Sequence, residues 1–272
     1  MAKKVLDQMQ REVIIPSSPK RIVSLVPSQT ELLFYLGLDE EVVGITKFCV
    51  HPRVQFKSKT RVGGTKKYNF EKIKSLNPDL IIGNKEENDQ SQIEELAKSY
   101  PVWMSDILTL SDALQMIESL GTIVGKESRA KMLKENIIVD FNRLEKNISS
   151  QSQSPSAAYL IWKNPMMVAA SQTFIHEMLN LAGFKNTFED LDRYPEITNE
   201  KLADAKPDVI FLSSEPFPFK EKHIQEIQTV CPNSIVKLVD GELFSWYGNR
   251  LILAVPYFEK LYLEITKQAP NH

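Results

Sequence analysis

Chemistry in this chain would have to come from a few short stretches. The first is "VPSQTELLFYLG", Val26 to Gly37, which sets Ser28, Thr30 and Glu31 together ahead of an apolar run. Hydroxyls beside a carboxylate could make a nucleophile and a base. However, no G-x-S-x-G elbow occurs anywhere to present a reactive serine. Ser28 and Glu31 instead have the S-x-x-E spacing of a capping box, in which each side chain satisfies a backbone N–H of the first helical turn. The spacing predicts a helix start there, with Gly37 as its stop.

The second stretch is "FCVHP", where Cys49 and His51 stand two apart. That spacing occurs in some metal sites, yet no second pair stands at finger-like distance, and His176, His223 and His272 are scattered. Cys49 and His51 are thus weak metal candidates, and a packed thiol beside a loop histidine is the simpler reading. "RVGGTKK" lacks the G-x-x-x-x-G-K-[ST] spacing of a phosphate loop and reads as a turn. Aromatics offer more. Trp162 and Tyr194 fall in the second half, and "DGELFSWYGNRL" brings Trp246 and Tyr247 close to Arg250. Flat side chains near a cation suit a planar or bulky ligand, although Trp162 closes an apolar strand and could be core.

These residues need elements to position them. The first half alternates strands ("RIVSLVP", "EVVGITKF", "PDLIIGN", "PVWMSD") with helices, and a long loop is read through "CVHPRVQFKSKTRVGGTKKY". Such alternation implies a parallel sheet covered by helices. From Lys126 to Ile148, apolar residues at steps of three and four mark one amphipathic helix, roughly 35 Å long. The polar "SSQSQSPS" then forms a joint. The second half repeats the grammar of the first: "SQTFIHEMLNLAGF" echoes "SQTELLFYLGL", and "EKLADAKPDVIFL" echoes "EKIKSLNPDLIIG". The reading is α/β with two lobes, each a small parallel-sheet sandwich, joined by one long backbone helix. Its bounds are 18–125 for the first lobe, 126–150 for the helix and 155–268 for the second lobe.

With 272 residues, the chain is long enough for two such lobes. A net charge of −2, with lysines and acids interspersed, predicts no electrostatic footprint for nucleic acid or an anionic membrane. The N-terminal "MAKKVLDQMQREVIIP" is charged and broken and lacks the apolar core of a signal peptide. No window approaches a membrane span. As written, the sequence reads as cytoplasmic and monomeric.

"RIVSLVPSQTELLFYLG", "NFEKIKSLNPDLIIGN" and "EITNEKLADAKPDVIFLSSEP" resemble the helical-backbone (class III) periplasmic solute-binding proteins of ABC importers. Within that class the resemblance is nearest to the cobalamin-binding component, with iron–siderophore and haem binders related. It covers roughly Lys20 to Leu263. The resemblance implies a non-enzymatic receptor that holds a corrinoid or other metal chelate between its lobes, as ligand rather than cofactor. It also implies a periplasmic or cell-surface location and a permease partner, with Glu71 and Glu200 as the docking carboxylates. Cobalamin binders carry cleft aromatics where this chain has Lys47 and Thr65. Tyr194 keeps one, and Phe48, Trp246 and Tyr247 are left to supply others. The alternative is a cytoplasmic metal-handling protein or enzyme using the Cys49/His51 loop.

Overall fold

Val13 and Ile15 are buried while Glu12 and Ile14 are exposed, the alternation of a half-buried strand. In the computed structural model, which describes residues 2–151 and 153–268, β2 (Glu12–Pro16) pairs antiparallel with β1 (Ala2–Leu6). The charged, broken N-terminal stretch is therefore a hairpin. Lys4 and Glu12 form an ion pair on its solvent side, while the half-buried Lys3 donates to the Thr122 carbonyl at 2.7 Å. His272 lies outside the described residues.

The chain divides into two compact units. The first contains the residues up to Ile107 together with Ser111–Asn136 and Tyr247–Arg250; the second contains Leu108–Leu110, Ile137–Trp246 and the residues from Leu251 onward. In the first unit β3 (Ile22–Ser24) leads to α1 (Pro27–Tyr35), followed by β4 (Val42–Ile45), α2 (Arg53–Ser58), β5 (Thr60–Arg61) and α3 (Phe70–Leu76). Then come β6 (Leu80–Asn84), α4 (Gln90–Ala97), β7 (Val102–Ser105) and α5 (Leu110–Ile123). The strands form a parallel sheet in the order β5-β4-β3-β6-β7. Every residue of β6 and β7 is buried, as expected where helices cover both faces of a parallel sheet. The region read as one long loop after β4 contains α2 and the edge strand β5. Both are too short to show a clear period.

Helix α6 (Glu127–Ser149) matches the amphipathic run, with Ala130, Leu133, Ile137, Phe141 and Leu144 all buried. The second unit continues with β8 (Ser156–Trp162), β9 (Met167–Val168), α7 (Phe174–Leu181), β10 (Lys185–Asn186) and α8 (Asn199–Ala205). It ends with β11 (Val209–Ser213), α9 (Glu221–Val230), β12 (Ile235–Val239), α10 (Gly241–Ser245) and α11 (Leu251–Gln268). Its sheet runs β10-β8-β11-β12 in parallel, with β9 pairing antiparallel to the end of β8. Ala158, Leu160, Ile210 and Leu212 belong to the core beneath it. No helix among the described residues is long and apolar enough to cross a membrane.

The echo between the halves is structural inside each unit. Asn69 caps α3 by accepting from Lys72 N at 2.9 Å, and Thr198 caps α8 by accepting from Lys201 N at 3.2 Å. Each helix ends on a left-handed residue, Asn77 (φ 44°) or Lys206 (φ 46°), and a Pro-Asp pair follows. The Asp79 carboxylate accepts the backbone N–H groups of Lys20 and Arg21 at 2.8 and 2.9 Å. The Asp208 carboxylate accepts the backbone N–H and the hydroxyl of Ser156, both at 2.7 Å. In each unit one aspartate thus fastens the start of the first strand of the parallel sheet.

Candidate functional site

In the first unit the candidate residues gather where β3, β4 and β6 end, the carboxyl edge at which open α/β sheets hold ligands. The capping box does not form. Val26 is the N-cap of α1, no side chain caps it, and Pro27 occupies the first turn. Proline suits that position because its fixed φ is helical and its missing N–H would have no partner. The helix therefore begins before Ser28, which is buried. Glu31 turns away to accept two parallel hydrogen bonds from Arg250, at 2.9 Å each. Arg250 thus forms a two-pronged internal ion pair with Glu31.

Tyr247 is buried as well, its phenol pushed up by burial and by the charge of Glu87. The segment turns at Gly248, whose φ of +110° favours glycine and where a Cβ would lie 3.4 Å from Leu32 of α1. A turn motif there does not mean an exposed loop. Thr30 Oγ1 lies 2.7 Å from Ser24 Oγ and 3.1 Å from Cys49 Sγ, which also meets Thr46 Oγ1 at 3.1 Å. Burial raises the Cys49 thiol against these hydroxyls, so it stays protonated and is a poor metal ligand or nucleophile. Among the described residues no three His, Cys, Asp or Glu side chains gather to hold a metal, and both cysteines are free.

Asn84 and Asn88, which the sequence reading missed, organise this edge. Asn84 Oδ1 accepts from the N–H groups of Glu86 and Glu87 at 2.9 and 3.0 Å. Asn88 donates to the Thr65 carbonyl at 3.1 Å, which also takes the Tyr68 hydroxyl at 2.6 Å. Thr65 is thus held by its backbone. The signal was present in "NKEEN": two asparagines bracketing a turn directly after an apolar strand. Phe48 is 48% exposed, with the Lys47 ammonium 4.9 Å from its ring centre.

In the second unit, Thr173 caps α7 by accepting from His176 N at 3.1 Å. Ser171 and Gln172 precede this helix, whereas their counterparts Ser28 and Gln29 lie inside α1. Gln172 (φ 56°) and Arg193 (φ 63°) both adopt left-handed backbone conformations. The two loops are tied by Arg193 N donating to Ser171 O at 2.8 Å and by the Gln172 amide on Asp192 at 2.8 Å. Strained, cross-braced backbone of this kind is found at binding sites, and it carries Tyr194, which is half-buried.

Trp162 is 38% exposed and meets Phe217 edge-on at 5.7 Å between ring centres. It is a surface aromatic, not core. Trp246 is the reverse. It is buried, and its indole N–H donates to Glu215 Oε1 at 2.8 Å. Ser245 Oγ lies 2.7 Å from the same oxygen, and burial pushes the Glu215 carboxyl up. Glu71 and Glu200 occupy the same place in α3 and α8, two residues after the cap, and both are exposed. Its own backbone N–H, and then the Thr198 hydroxyl, hold the Glu200 carboxyl below its ordinary value.

The sequence model of the family described as periplasmic binding protein matches residues 22–230. The chain belongs to the periplasmic binding protein family. It is a solute-binding protein with the α/β fold of that family. YvrC of Bacillus subtilis (strain 168), an ABC transporter substrate-binding lipoprotein, is 29% identical over 96% of this chain and 86% of its own length. The vitamin B12-binding protein of Pectobacterium carotovorum is 25% identical over 93% of this chain and 91% of its own. Among solved structures, the periplasmic vitamin B12-binding protein BtuF of Vibrio cholerae superposes with a TM-score of 0.80 at 24% identity, covering 93% of this chain and all of that one. The haem-binding RhuT of Roseiflexus reaches 0.77 at 22% identity over 92% of this chain and 99% of its own.

Proposed function

We propose that this periplasmic binding protein captures a corrinoid or related metal chelate for an ABC importer, without catalysing a reaction. The observation that carries the reading is the match of nearly the whole chain to a vitamin B12-binding protein. Exposed aromatic surface at Phe48 in the first unit and Trp162 in the second, with Tyr194 on its braced loop, supports a ligand with flat or apolar faces. Trp246, Tyr247 and Arg250 contribute by shaping the interior behind such surfaces, and Thr65 offers its side chain from a fixed backbone. Glu71 and Glu200 are the docking carboxylates for a permease. The protein works as a monomer outside the cytoplasmic membrane; the name of YvrC describes that relative as a lipoprotein. The buried, protonated Cys49 gives no support to a metal-handling enzyme.

Titration with cobalamin, cobinamide, haem and ferric siderophores, followed by absorbance and tryptophan quenching, tests the reading. Saturable quenching by at least one, weakened by Trp162→Ala, is expected. Dissociation constants all above about 100 µM would be too weak for a dedicated receptor and would reject it.

A further inference from the structure

The charge of the whole chain hides a strong local imbalance. Between Lys47 and Lys74 stand nine lysines and arginines against one carboxylate, Glu71, in a chain whose total is −2. All lie in the first unit, and all but the half-buried Lys59 are exposed. Among the described residues none of the nine forms an ion pair with a carboxylate. Those that hydrogen-bond reach backbone carbonyls: Lys59 to Asp39, Arg61 to Phe56, Lys66 to Glu86 and Lys72 to Arg61. Such bonds orient a cation without neutralising it. Two carboxylates border the surface: Asp39 accepts from the Gln55 amide of α2, and Asp89 caps α4 and feels the charge of Lys66.

These cations share one surface. A Cβ on Gly64 would lie 3.4 Å from the Phe48 ring, so the loop after β4 adjoins the loop bearing Lys66 and Lys67. The Arg61 guanidinium stands 5.3 Å from the Phe56 ring of α2, and Lys72 of α3 reaches the Arg61 carbonyl. Apolar side chains protrude among them. Val54 is 77% exposed, the most of any large hydrophobic residue among the described residues, and Val50 and Phe48 are exposed too.

Protection of a sheet edge explains part of this pattern. Strand β5 is an edge strand, and flanking lysines deter unwanted pairing. That accounts for Lys59 and Arg61. It does not account for Arg53 and Lys57 on α2 or Lys72 and Lys74 on α3, and Val54 would work against it.

We propose that this surface binds the headgroup layer of an anionic phospholipid membrane. The lysines and arginines meet lipid phosphates while Val54 and Val50 enter the acyl boundary, the pairing that characterises interfacial binding. A nucleic acid would use the cations but gain nothing from protruding valines. A small anionic solute does not span two helices and an edge strand.

Co-sedimentation of the intact protein with vesicles tests this independently of any solute, since the vesicles carry none. Binding is expected to phosphatidylcholine–phosphatidylglycerol vesicles at low salt, with release at high salt and no uptake by phosphatidylcholine alone. The triple variant Arg53→Glu, Lys57→Glu, Lys74→Glu should lower partitioning at least about tenfold with unchanged melting. Val54→Ser should lower it about threefold while leaving the salt response intact. Equal uptake by neutral and anionic vesicles, no uptake at low salt, or a triple variant that partitions like the parent would each overturn the proposal. So would capture of duplex DNA without capture of vesicles. The parent's own lipid and salt dependence decides the matter even where the triple variant does not fold.

Discussion

The Glu215 carboxylate accepts the indole N–H of Trp246 at 2.8 Å, with the Ser245 hydroxyl on the same oxygen. Burial raises its pKa above the ordinary 4.5. Between that value and the raised one the folded chain binds the extra proton, so stability falls as pH rises through the window. Glu215→Gln keeps an acceptor for the indole and should flatten this pH dependence. Glu215→Ala should cost about 1–3 kcal/mol by leaving the indole N–H without its acceptor and shift the tryptophan emission. Thermal melts across the acidic range, with fluorescence, check both.

Arg250 and Glu31 form a two-pronged ion pair with little solvent access, their side chains 10% and 12% exposed. Removing one partner from such a pair typically costs about 3–5 kcal/mol, because the other charge stays buried alone. Arg250→Leu should therefore destabilise the first unit strongly. Arg250→Leu with Glu31→Met should recover most of the loss. Urea unfolding of both variants distinguishes an unpaired charge from lost packing.

His223 predicts the opposite pH response. Its Nδ1 accepts from Lys220 N at 2.8 Å at the start of α9, a role only the neutral ring can fill. Burial lowers its pKa from the ordinary 6.5, with Lys163, Lys222 and Lys220 adding to the effect and Glu226 opposing it; Phe217 and Phe219 pack on the ring. The unfolded chain takes up the proton first, so stability falls as pH drops through 6.5 and levels off below the folded pKa. His223→Asn should remove that slope. Melting temperatures on both sides of 6.5 measure it.

Asp79 and Asp208 should be equivalent in effect. Each fastens the start of its unit's first parallel strand through two hydrogen bonds to its carboxylate. Replacement by alanine should cost about 2–4 kcal/mol in either unit. Amide exchange should rise at Arg21 in one variant and at Ser156 in the other, and not at both in each.

Much of this architecture is legible in the sequence because it rests on local chemistry. Asn69 and Thr198 cap short helices, and Pro-Asp follows each helix end. The buried strands are apolar along their whole length, so the repeat is visible in the sequence itself. The site was less legible, for three physical reasons. The S-x-x-E spacing at Ser28 predicts a cap, but Pro27 starts the helix one residue earlier and frees Glu31 for a partner far along the chain. Trp246 and Tyr247 look like loop aromatics because Gly248 and Asn249 spell a turn, yet that turn is packed on α1. Glu215 acts through a bond to an indole 31 positions away, which no spacing rule reveals. Helix α11 hides behind Pro256 in its own interior.

Glu31 and Arg250 are separated by 219 positions. At the usual pace of synthesis, about 5–20 residues per second, the glutamate leaves the ribosome roughly ten to forty seconds before its partner exists. Throughout that interval the first unit must carry a negative charge in its interior without its counter-ion. A nascent chain stalled before Arg250 is thus the form most exposed to proteases and chaperones, however complete its early strands are.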